Sequence, residues 1–101
     1  MTARRVGVIF KYPIPVDDAR HPVPWGMVLG TRVTGVEVRA DDPRIVDMWV
    51  LHPAGIEEGE RTRQFSVIAT GQPFDTKRAE VVGTTRHPAS QLVWHVIGHL
   101  S

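Results

Sequence analysis

The chain has 101 residues, 42% of them hydrophobic and 23% charged, with a net charge of +1. That is the composition of one globular domain, not of a disordered chain, and the near balance of charge gives little support to a dedicated nucleic-acid binder. There is no cysteine, which excludes disulfides, thiolate zinc sites and a thiol nucleophile.

The N-terminal Met1-Thr2-Ala3-Arg4-Arg5 is basic, but the apolar run behind it, Val6 to Phe10, is too short for a secretory signal. Its alternation places Val6, Val8 and Phe10 on one face of a first strand. Lys11-Tyr12-Pro13-Ile14-Pro15 is expected to end that strand, since paired prolines cannot continue a central ladder. Tyr12 then packs over the sheet edge with its hydroxyl in water. Pro22 and Pro24-Trp25-Gly26 read as turns. Val28 to Val38 is a long run that changes phase near Gly35, where a β-bulge would re-aim the side chains. Asp41-Asp42-Pro43 is the next turn. Ile45 to Leu51 is apolar on both faces, as a central strand is.

Ala54 to Arg63 is polar, carries Glu57, Glu58 and Glu60 near Arg61 and Arg63, and reads as an exposed hairpin loop. Phe65, Val67 and Ala69 alternate with Ser66, Ile68 and Thr70 in a further strand. Glu80 to Thr84 is a short, weaker one. Gln91 to Leu100 fits either a strand or a helix starting at Ser90, and its β-branched content and Gly98 favour the strand. No run approaches the ~20 apolar residues of a membrane span, so neither a membrane partner nor a location outside the cytoplasm is expected.

The predicted fold is mainly β: a small antiparallel sheet of roughly five to seven strands, curled into a sandwich or partly open barrel, with little or no helix. Residues 1–101 form a single domain. The predicted core contains Val8, Phe10, Val33, Met48, Val50, Phe65, Val67, Trp94 and Val96.

Chemistry-bearing motifs are few. His95 and His99 are spaced as two zinc ligands would be on a helix. On a strand they stand about 13 Å apart along the axis and cannot share one ion. Val96 stands where a helical zinc protease has Glu. Ser66 and Ser90 lack a nucleophile elbow, and Gly30, Gly35 and Gly83 form no phosphate cradle. Ten of the twelve cationic side chains are arginine, whose planar fork suits carboxylate and phosphate. Trp49, Phe65 and Trp94 lie inside apolar runs and read as core, leaving Trp25 and Phe74 as exposed aromatics.

The series Lys11-Tyr12-Pro13-Ile14-Pro15, Pro24-Trp25-Gly26, Met48-Trp49-Val50, Thr70-Gly71-Gln72-Pro73 and Val93-Trp94-His95-Val96 resembles a family of short proteins of actinobacteria and especially their phages. That family has no assigned activity. It shares a Lys-Tyr-Pro-hydrophobic-Pro start, a Gly-Thr-Gly-x-Pro-like middle and a Trp-His-Val-like end. The resemblance covers roughly residues 7–97, with Ala69 where the family usually has Gly. It implies a phage-type accessory protein and supplies no catalytic residue.

The expected function is therefore non-enzymatic. A small cytoplasmic domain would bind a host or phage protein and could pair with its own copies, using Trp25, Tyr12, Arg61, Arg63 and His95, with no cofactor or metal. A nucleic-acid-binding β-domain is the alternative, and an enzyme with a His-centred site comes third.

Overall fold

Short alternating runs assemble into seven strands, with no helix among the described residues, in a computed structural model that describes residues 6–26, 28–56 and 61–100. The strands are β1 (Val8–Pro15), β2 (His21–Pro24), β3 (Arg32–Arg39), β4 (Asp42–His52), β5 (Thr62–Ala69), β6 (Ala79–Arg86) and β7 (Val93–His99). They form two antiparallel sheets, one ordered β1-β4-β3 and the other β2-β5-β7-β6. This is an open sandwich, not a closed barrel. The basic N-terminus, Glu57, Glu58 and Glu60 lie outside the described residues.

Each sheet begins on an edge strand built around Pro-x-Pro. The first strand does end with Lys11-Tyr12-Pro13-Ile14-Pro15, but the motif itself is part of it: β1 pairs with β4 through Pro15. The residues read as a turn at Pro22 and Pro24 are β2, paired with β5. The reason is one of parity. Val16 N donates to Arg44 O and Trp25 N to Arg61 O, both at 2.7 Å. Residues of like parity share a hydrogen-bonding side, so Pro13, Pro15, Pro22 and Pro24 turn their donor-less nitrogens to the free edge. The residue between each pair points inward: Ile14 is 1% exposed and Val23 2%.

β4 is the central strand of its sheet, as its apolar run predicts. Its inner residues Val46, Met48 and Val50 meet Ile14, Val23, Phe65, Val67 and Val96 in the core. Val33 and Trp94 pack at the margin of that cluster. Phe10 is 44% exposed; it meets the Tyr12 ring at a tilt and the His52 ring edge-on instead of entering the core. Trp49 corrects the core assignment more sharply. The inner residues of β4 are the even-numbered ones, so Trp49 lies half-buried on the outer face. The same parity buries His52, whose Nε2 meets the Tyr12 hydroxyl at 3.0 Å. Tyr12 is thus tied into the sheet and its hydroxyl is not simply wet.

The phase change in β3 is a bulge: Val33 pairs with Val50 and Gly35 with Trp49, leaving Thr34 as the extra residue. β6 has a bulge of its own between Val81 and Gly83. The two sheets close against each other where β3 meets β6. Val38 N donates to Thr85 Oγ1 at 3.0 Å, and Gly83 lies under Val36. A Cβ at position 83 would stand 2.5 Å from Val36 Cγ2.

β4 and β5 lie in different sheets and are not paired as a hairpin, Thr62 and Arg63 belong to β5, and residues 57–60 of the expected loop lie outside the described residues. The last run is the strand β7, placed between β5 and β6.

Candidate binding groove

Arg63 is the residue around which the site is built. It rises from β5, and its side chain is only 15% exposed. The guanidinium lies 5.0 Å from the Trp25 ring centroid and 5.3 Å from that of Phe65. Its Nε donates to the His99 carbonyl at 3.1 Å and its Nη2 to Glu80 Oε1 at 2.9 Å. One side chain thereby straps β5 to β7 and β6. Gly98 makes the crossing possible, because a Cβ there would sit 2.6 Å from Arg63 Nη2.

Over this strap opens a groove of about 520 Å³ lined by Arg20, Trp25, Arg61, Arg63, Gln64 and His99 among others. None of the described residues lining it is acidic. Trp25 comes from the end of β2 and rests on Phe65, with ring centroids 5.5 Å apart. Arg61 is exposed and forms no ion pair among the described residues. Arg20 is presented by the loop between β1 and β2. There Asp17 Oδ1 accepts from Ala19 N at 2.9 Å and His21 Nε2 at 2.7 Å. The His21 bond, then the Ala19 bond, hold the Asp17 carboxyl below the usual carboxylate range.

His99 forms one wall, and its Nε2 lies 2.8 Å from Ser66 Oγ. Behind it is a second cavity of about 350 Å³, which Arg20 and His99 also line. This cavity lies on the outer face of the sheet, where side chains normally meet water. Residues 70–78 fold over it, so Ile97 is 1% exposed and Ala79 5%.

Burial, and then the charges of Arg20 and Arg63, hold the His99 imidazole below its ordinary 6.5. The fold therefore prefers the neutral ring, and the unfolded chain takes up the proton first. The stability this contributes is complete above the unfolded value and is lost as pH falls through it toward the folded one. Between about pH 7.5 and pH 5, urea unfolding is expected to show a larger loss of stability in the native chain than in His99→Gln.

A family model described as domain of unknown function (DUF7352) matches residues 6–100. The chain belongs to the DUF7352 family. Neither a curated protein nor a solved structure matches it. The match spans all seven strands of this DUF7352 domain and every described residue of the groove.

Of the binding residues expected from sequence, Trp25, Arg61 and Arg63 come together in the groove of the DUF7352 domain. Tyr12 and His95 do not join them. Tyr12 faces the inside of the other sheet. His95 stands on the outer face of β7, held by Thr70 Oγ1 at its Nε2 (2.8 Å) and Thr84 Oγ1 at its Nδ1 (3.0 Å). Trp94 points inward from the neighbouring position, so Trp94, His95 and Tyr12 line no common pocket. Arg20, Ser66 and His99 have no motif around them. The outward parity of His99 on β7 was the available signal.

Proposed function

We propose that this DUF7352 domain is a non-enzymatic, phage-type accessory protein that binds an acidic segment of a protein partner in the groove between Arg20, Trp25 and Arg61. The observation that carries this reading is the meeting of those side chains in one open groove with no acidic side chain among its described lining residues. Arginine forks take carboxylates in bidentate fashion, and Trp and Arg are the residue types enriched at protein interfaces.

A nucleic-acid partner is supported less well. Arg39, Arg44, Arg63 and Arg78 each stand within 4.0 Å of an acidic partner, and a net charge of +1 leaves little cationic excess to follow a phosphate backbone. Trp25 is already covered by Arg63 and flanked by Phe65, which reduces the face open to a stacking base.

The test is a pull-down from nuclease-treated cell lysate with the native domain and with the Arg20→Glu, Arg61→Glu double variant, both first shown to melt at the same temperature. A protein held by the native domain and lost by the variant is the expected result. Retention by the variant would move the site elsewhere. Capture seen only before nuclease treatment would favour nucleic acid.

A further inference from the structure

We infer that the cavity behind His99 is a specificity pocket of the groove, and that it takes a bulky apolar side chain within two residues of the partner's acidic one. This rests on the protein-binding reading of the groove.

The two spaces share Arg20 and His99 as a common wall. In an extended segment successive residues advance ~3.3 Å. A chain with a carboxylate at the groove therefore brings a neighbouring side chain to the cavity. Its volume of about 350 Å³ lies within the range of ligand pockets. Ile68, Pro73 and Phe74 give it apolar walls, backed by the buried Ala79 and Ile97. Its polar floor does not oppose an apolar guest, because Ser66 Oγ and His99 Nε2 already hold each other at 2.8 Å and remain bonded when covered.

Charge sets the order of the two groups. Asp18 and Asp75 line the cavity beside Arg20 and Arg78, whereas the groove has no acidic side chain among its described lining residues. An acidic side chain is favoured at the groove, near Arg61, and meets like charge in the cavity. The group entering the cavity is therefore the uncharged one.

The experiment immobilises the full chain and selects from octapeptides of Gly and Ser that carry either Glu or Gln at one central position and two randomised neighbours, with acetylated and amidated ends. Enrichment of Phe, Leu, Ile or Met beside Glu by roughly tenfold over Ala is expected, the ratio one buried apolar side chain supports. The Ala79→Phe variant, which fills the cavity, is expected to keep the preference for Glu over Gln and to lose the apolar one. Phe74→Ala removes an exposed part of the lip and is expected to reduce the same preference without disturbing the fold. Selection for Glu with no apolar preference in the native chain would overturn the pocket and leave the groove reading standing. No selection for Glu over Gln would overturn both.

Discussion

Phe65→Ala is expected to cost about 3–5 kcal/mol, the range for truncating a buried aromatic ring. Domains of this size are stable by about 5–15 kcal/mol in all, so the variant should lose a substantial share of the total. Phe65 is fully buried and belongs to the core between the sheets. It also supports the Trp25 ring and lies 5.3 Å from the Arg63 guanidinium. Its removal takes away the support of the groove along with the core contact. Urea unfolding followed by tryptophan fluorescence and by circular dichroism measures both effects. The fluorescence of folded Phe65→Ala should already differ from the native chain at zero denaturant, because Trp25 has lost its neighbour. A loss below about 1 kcal/mol would contradict this placement of the ring.

Gly83→Val should be the second most damaging change, by the opposite mechanism. Nothing is removed; a side chain is forced into filled space. Even the first added atom meets Val36 at 2.5 and 2.8 Å, well inside contact distance. Val36 sits on β3 in the facing sheet, so relief requires β6 and β3 to part where Val38 N reaches Thr85 Oγ1. Overpacking of this kind costs about 1–3 kcal/mol and can cost more. Gly83→Ala should fall below Gly83→Val. The double variant Gly83→Ala, Val36→Ala should recover most of the loss, since it removes the atoms that collide. Melting temperatures of the three variants against the native chain decide the matter, and a Gly83→Val protein as stable as the native one would refute the close approach.

The β class, the central position of β4, the bulge beside Gly35 and the strand at residues 93–99 were legible because each rests on local pattern. The edges were not. A proline pair spaced by two reads as a break only if both sides of a strand need donors, and β1 and β2 need them on one side. Trp49 and Trp94 sit in equally apolar runs, yet parity turns one outward and the other inward, and parity cannot be assigned until the partner strand is known. Within the groove, Trp25, Arg61 and Arg63 stood out by residue type. The strap from Arg63 across Gly98 to Glu80, and the meeting of Ser66 with His99, depend on β7 lying between β5 and β6. That order is a long-range fact which no local window contains.

All four sheet edges are interrupted: β1 and β2 by outward prolines, β3 and β6 by bulges. Sheet proteins commonly aggregate when a regular edge offers its unpaired amides to a neighbour, and fibrils grow by repeating that step. Here β3 and β6 also face each other, with Val38 N bonded to Thr85 Oγ1, and a docking strand would meet missing donors at the prolines of β1 and β2. The edges are thus poor templates for stacking these molecules into a shared ladder.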